Sequence, residues 1–432
     1  MQCGPTTPPG NSDDGTVPMA ATDHPTSELL DPTGSEQTDV PRRRRRGPLL
    51  LAAGVVVLLV AGLTWFLLTR DSGDDLPYDP ETALAVEDFG AVGDGRTDDT
   101  AAVQEALDAV EPGQAVLLAE GKTYAVSDVL TLSVRGSVLA GDGTLLATDE
   151  ERSSLTVAAD DVVVQDVTLT IEDTSRRFDA FEQQRLWLDG HSGIVVRDVT
   201  VRGSAAAGIY VYGTTDFVLD GVQVSETEAD GVHITGGATD GQVIRPVVRD
   251  VGDDGVAVVS YAPDGDPCAR IRVQSPVVDG TDARGISVVG GTDITYTDIS
   301  VSSTAAAGVY VAAEGSYDTT SVDGVRVEGG TVSDANTDSG IDHGAVLVYS
   351  GAEGRTVEDV TVSGLTIDDT RTDASRWLGV VLDGGGTVAG IALQDLALEG
   401  DGPEAEYATN DEDADVSLTG ITREGEELPD QD

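Results

Sequence analysis

The chain has 432 residues, a formal net charge of −53, 52 glycines and only 4% aromatic residues. Such acidity repels phosphates and excludes nucleic acid as a partner, while saying nothing about fold. The only cysteines, Cys3 and Cys268, flank an apolar run that reads as a membrane span, so they cannot pair within one chain and no disulfide framework exists.

Residues 1–47 are rich in Pro, Thr, Ser, Asp and Gly and are expected to form a disordered cytoplasmic tail. Residues 48–70 are expected to form a transmembrane helix, because "LLLAAGVVVLLVAGLTWFLLT" (49–69) is uncharged and long enough to cross a bilayer. Arg42 to Arg46 precede it and Asp71, Asp74 and Asp75 follow, which places the N-terminus in the cytoplasm and the remainder outside. No small-x-small cleavage site follows the run. The reading is a single-pass protein of the cell membrane, held in the lipid bilayer through 49–69, with a polar linker at 71–83. A monomer is expected.

Within "TDDTAAVQEALDAV" (97–110), Ala102, Val103, Ala106, Leu107 and Val110 form one apolar stripe, and Thr97 or Asp98 can cap the helix so predicted. Beyond it the chain repeats. "AAAGIYVYG", "EADGVHITGG", "GDDGVAVVS", "ARGISVVGG", "AAAGVYVAA", "DHGAVLVYS" and "WLGVVLDGG" each place a glycine before a short strand, at Gly208, Gly231, Gly255, Gly285, Gly308, Gly344 and Gly379. The intervals of 23, 24, 30, 23, 36 and 35 residues match a stacked-repeat architecture. A second strand signal, such as "VVRDVTV" and "VLDGVQV", alternates apolar and polar residues between them. Short strands at this period without intervening helices predict an all-β, single-stranded parallel β-helix over 84–400, closed at its N-terminal end by the helix. Residues 401–432 read as an acidic tail with at most one strand, near "DVSLTGIT".

Residues 86–110, "VEDFGAVGDGRTDDTAAVQEALDAV", resemble the opening of pectin-lyase-like right-handed β-helix proteins, in which such a segment leads into the capping helix. "EADGVHITG" (228–236), "GDDGVAV" (252–258) and "ARGISVVGG" (283–291) resemble the central motifs of polygalacturonase-type (family 28) glycoside hydrolases. The resemblance implies that Asp230 matches the Asp of the first motif and that Asp253 and Asp254 match the family's acid pair. Arg284 stands where the family has a histidine. In "GVYVA", Tyr310 and Ala312 stand where it has the arginine and lysine that hold a galacturonate carboxylate. Without that clamp, a neutral or differently charged glycan is the expected substrate.

Aligned on their glycines, the coils place Ala207, Asp230, Asp254, Arg284, Ala307, His343 and Leu378 in one column, and Tyr210, His233, Ala257, Ser287, Tyr310 and Val346 in a second. Stacked carboxylates repel one another, which raises the pKa of at least one and permits acid and base roles side by side. Asp253 is expected to donate the proton to the leaving oxygen, Asp230 and Asp254 to activate water, and Arg284 to position them. His233, Tyr210, Tyr310 and Tyr261 are expected to contact the sugar, and Trp187 and His191, in the insertion 172–192, to overhang the cleft. No metal or other cofactor is called for in hydrolysis. A second reading is a polysaccharide lyase, with Ca²⁺ on Asp230, Asp253 and Asp254 and Arg284 as base. A third is a non-catalytic cell-wall glycan-binding protein. Against all three stands the plain fact that Asp before Gly is common turn chemistry.

Overall fold

The computed structural model describes residues 77–431. The expected cytoplasmic tail, the membrane span and the start of the linker lie outside the described residues. Among the described residues, no helix is long and apolar enough to cross a membrane.

One coil consists of Val195–Arg197, Thr200–Ser204 and Ile209–Tyr212, and the following coils repeat these three strands. Each strand pairs in parallel with its counterpart one coil on: Val195 with Val218, Val201 with Val224, and Ile209 with Val232. Alternation sends Val201, Val224, Val248, Ile209, Val211, Val232, Ile234, Val256 and Val258 inward, where all are buried in one continuous core. The anchor glycines are required by crowding there. A Cβ on Gly231 would fall well inside contact distance of Val248 Cγ1 and the Gly255 carbonyl oxygen, and Gly208, Gly255 and Gly285 meet equivalent neighbours.

Between strands the chain turns through the left-handed region. Of the twenty non-glycine residues with positive φ among the described residues, thirteen are Asp, including Asp198, Asp216, Asp240 and Asp250. Asp tolerates that conformation through local hydrogen bonding of its short side chain. A part of the acidity, these thirteen of 78 acidic residues, therefore reflects turn geometry repeated along the coils.

Three expectations need correction. The helix spans Thr100–Ala109, and neither Thr97 nor Asp98 is its N-cap. That position is held by Asp99, whose carboxylate turns back to accept from Val92 N (2.7 Å) and Gly93 N (3.0 Å), fastening the preceding Gly-rich loop. The stripe is as expected, with Val103, Ala106, Leu107 and Val110 buried. Two anchor glycines are out of register: Val309 pairs with Val346 and Val346 with Leu378, so Ala345 and Trp377 occupy the positions equivalent to Gly308. The longer loops before these strands disguised the shift. Lastly, the solenoid continues past residue 400. Tyr407–Thr409 pairs with Leu378–Leu382, and Val416–Thr419 pairs with Thr387–Gln394. Thr422–Arg423 and Glu426–Glu427 add a terminal hairpin. Sparse apolar residues suffice there because the last coil has only one neighbour to pack against.

Candidate active site

The third strand of each coil faces outward at its second residue, giving the register Trp187, Tyr210, His233, Ala257, Ser287, Tyr310, Leu347. Leu347, not Val346, closes that column, again because of the one-residue shift. Just before the strands, the backbone amides of Gly208, Gly231 and Gly255 donate to the carbonyls of Asp230, Asp254 and Arg284. Asp230, Asp254 and Arg284 thus stand one above another.

One oxygen from each of Asp230, Asp253 and Asp254 lies within 4.8 Å of the others. The three carboxylates have different environments. Asp230, its side chain 10% exposed, accepts from Asp254 N at 2.9 Å through Oδ1 and pairs with His233 Nδ1 through Oδ2. Burial pushes its pKa up, but the hydrogen bond and charge of His233 and the charge of Arg177 outweigh this and hold it below the ordinary value. Asp254, 6% exposed, accepts from Arg284 N (2.9 Å) and Ser287 Oγ (2.6 Å). Burial, with the charges of Asp253 and Asp230, raises it to about 7 in spite of Arg284. Asp253 is the most open at 22%, with Oδ2 2.5 Å from Arg177 Nη1.

Arg284 is sequestered. Its Nη1 lies 3.4 Å from Asp254 and 3.8 Å from Asp253, its Nη2 bonds Glu314 at 3.0 Å, and its guanidinium covers the Tyr310 ring at 4.6 Å. Glu314 also accepts from Tyr310 Oη at 2.8 Å. Tyr261 is brought to the same place: burial and the charges of Asp230, Glu314 and Asp253 all raise its phenol. An antiparallel bridge from Tyr261 to Thr319 ties two loops together across this face.

Tyr210 and Tyr310 do not offer the flat sugar-binding faces expected of them. Tyr210 is stacked on His233 at 5.1 Å and met edge-on by Phe181 at 5.9 Å. Tyr310 is sandwiched between Arg284 and His343, the latter stacked at 5.4 Å. Burial together with the charges of Arg284 and Arg376 brings His343 down to about 3, so it stacks as a neutral ring. Both tyrosines are buried and act as spacers beneath the charged groups. His191 points elsewhere, to Asp160, and Trp187 is covered by Phe181 at 4.6 Å.

Arg177 and Glu314 escaped the sequence reading. Arg177 lies in an aperiodic insertion, and its one signal is a pair of arginines, Arg176 and Arg177, in a chain with 25 basic against 78 acidic residues. Glu314 follows the strand Val309–Ala313, one coil after Arg284, where a partner for a buried guanidinium was to be sought.

Residues 83–163 match the family described as rhamnogalacturonase A/epimerase, pectate lyase-like, and residues 185–369 match the right-handed β-helix region. The chain has the pectate-lyase-like right-handed β-helix fold. Among solved structures, this β-helix superposes on the Agl-KA catalytic domain with a TM-score of 0.68 at 16% identity, covering 80% of this chain and 66% of that one. It spans just under two thirds of that neighbour's length. The catalytic domain of GH87 α-1,3-glucanase in complex with nigerose gives 0.63 at 14% identity, over 82% and 71%. PfbA, a surface adhesin of Streptococcus pneumoniae, gives 0.57 at 13% identity, over 79% and 90%. At these identities the likeness is one of fold. No curated protein matches the sequence.

A lyase reading would put Ca²⁺ among the three carboxylates of this β-helix. The donor set does not fit it. Both oxygens of Asp230 and of Asp254 are already engaged, and Arg177 and Arg284 bring two guanidiniums to the same cluster. A divalent cation there would have to displace those bonds and sit against fixed positive charge.

Proposed function

We propose that this chain is a surface-anchored β-helix enzyme that hydrolyses a polysaccharide by acid–base catalysis. One observation carries the reading: two carboxyls in contact range have environments that drive them in opposite directions, Asp230 toward the anion and Asp254 toward the acid. A proton donor beside an ionised base at neutral pH is the condition for glycosidic cleavage. Asp254 holds the proton, and Asp253, the carboxyl that solvent reaches, relays it to the leaving oxygen and rests as the carboxylate paired with Arg177 between turnovers. Asp230 takes the proton of the attacking water. This revises the expected base role of Asp254. Arg284 orients the pair and, being enclosed, does not bind sugar. The anchored placement rests on the apolar run 49–69 alone.

With the carboxylates of Asp230, Asp253 and Glu314 against two guanidiniums at the site, a neutral glycan suits it better than a polyanion. α-1,3-Glucan is a reasonable first candidate, given the glucanase domains among the fold neighbours. The test is a panel of neutral and uronic glycans with the full chain, wild type against Asp253→Asn, measuring reducing ends and absorbance of unsaturated products. Reducing ends from wild type only, without unsaturation, support hydrolysis. Binding without turnover would favour the adhesin-like alternative, whose one support is the surface adhesin among the fold neighbours.

A further inference from the structure

His233 was expected to reach a sugar. Instead its side chain is 7% exposed, Nδ1 is spent on Asp230, and Nε2 is buried without a protein partner. The ring is locked from one side by Tyr210, stacked with an interplanar angle of 5°. This is a costly arrangement for a polar ring, and packing alone does not call for it, since an apolar ring would fill the same slot without an orphaned nitrogen. Its one satisfied polar contact is the Asp230 carboxylate.

We infer that His233 is a positioning residue which, as an Nδ1–H donor, keeps Asp230 ionised and aimed. The inference deepens the reading of Asp230 as the base and rests on it for its catalytic meaning. Its physical content concerns this pair alone. A buried carboxylate without an adequate donor takes up a proton and ceases to be a base. The Asp254 amide supplies one hydrogen bond to Oδ1, and His233 supplies the one to Oδ2. The other groups facing the pair are Asp253 and Asp254 from the next coil, Tyr210 from the preceding one, Tyr261 and Asp264 from the loop above, and Arg177 from the insertion. Of these only Arg177 favours the anion by its charge, and it is already paired with Asp253. His233 is therefore the group that tips the balance.

The sign of the linkage follows. A carboxyl held below its unfolded pKa adds stability at neutral pH, which disappears as pH falls through the folded value. Without His233, burial raises Asp230 above its unfolded value, so the cost of the replacement grows with pH up to that raised value and is smaller, though not absent, at pH 4, whereas a loss of packing would be equal at both. The experiment is thermal unfolding of the full chain, in mild detergent, at pH 7 and pH 4 for wild type, His233→Phe and His233→Asn. Phenylalanine keeps the stack on Tyr210, and asparagine keeps a donor near the position of Nδ1. The expected result is a Tm loss for His233→Phe that is larger at pH 7 than at pH 4, with His233→Asn closer to wild type. Equal losses at the two pH values would overturn the inference. Should His233→Phe not fold, His233→Gln takes its place, since its amide extends toward the Nε2 position. Equal Tm values for Asn and Gln at pH 7 would also overturn it. None of these readouts needs a substrate, so they stand apart from the glycan panel. Where the panel does yield a substrate, the acidic limb of kcat should move to higher pH in His233→Phe.

Discussion

Arg177 and Asp253, 76 positions apart, meet with Nη1 2.5 Å from Oδ2, and this ion pair lays the insertion over the most open carboxylate of the site. The same insertion is pinned by Thr174 on Glu228 (2.6 Å) and by the Phe178 amide on the Ala205 carbonyl (2.7 Å). The guanidinium therefore faces the cleft from a fixed strap. Both partners are partly exposed, 37% and 22%, so screening limits the pair to roughly 0.2–1 kcal/mol of stability. Arg177→Ala is accordingly expected to leave Tm nearly unchanged but to lower kcat by about tenfold or more, because a small displacement of a reacting group is costly. Unaltered kcat with a substrate in hand would reduce Arg177 to a surface contact.

Asp254 makes a pH-dependent contribution that function, not stability, explains. A carboxyl raised from about 3.9 when unfolded to about 7 when folded takes up a proton on folding between those values. Its stability contribution is therefore best below the unfolded value and declines as pH climbs toward 7. Asp254→Asn, which removes the charge and keeps the shape, should raise stability at pH 8 by up to a few kcal/mol relative to its effect at pH 4. It should also abolish turnover. Chemical denaturation at the two pH values decides the first point, and a variant that is less stable at pH 8 than at pH 4 relative to wild type would refute it.

The column of Asp230, Asp254 and Arg284 was legible because the anchor glycines at 231, 255 and 285 are enforced by steric crowding, which leaves a regular mark in sequence. Where crowding is absent the mark fades. Ala345 and Trp377 serve as anchors without being glycine, so Gly344 misplaces one coil by one residue, putting Val346 where Leu347 belongs, and Gly379 misplaces the next by two. Arg177 and Glu314 left only faint marks for a different reason: each reaches the site through loop geometry that no periodicity encodes. The faces of Tyr210 and Tyr310 were misjudged because outward from the strand does not mean open to solvent. Loops at 172–184, 261–266 and 314–319 carry Phe181, Arg177, Tyr261 and Glu314 onto that surface. The membrane span at 49–69 stands on sequence alone.

Divalent metal should be irrelevant to this site. Excess EDTA is expected to leave both Tm and turnover unchanged, and millimolar Ca²⁺ should produce no Tm rise of the kind that binding to the folded state imposes. Arg177→Ala combined with Arg284→Ala would remove both guanidiniums, and only in that background should Ca²⁺ stabilise the chain by way of the three carboxylates. A Ca²⁺-dependent Tm rise in wild type that disappears in Asp253→Asn would reverse the argument and restore the lyase reading.

Arg185 takes the anchor position one coil before Gly208, and it is fully buried with no ion pair to a carboxylate among the described residues. Its Nε donates to Thr170 O (3.1 Å), Nη1 to Ser153 O (2.7 Å) and Nη2 to Leu145 O (2.7 Å), so one side chain ties the carbonyls of two strands to that of the loop before a third. Burial pulls its pKa down, a sign that the charge is held at a cost. Replacement by Met removes that charge penalty but strands the carbonyls, and each stranded group costs about 1–3 kcal/mol. The net expectation for Arg185→Met is a loss of roughly 2–4 kcal/mol, with Arg185→Ala worse because a cavity is added. Urea unfolding of both variants measures this. If Met proved as stable as Arg, the three hydrogen bonds would be shown to balance no more than the desolvation of the guanidinium that makes them.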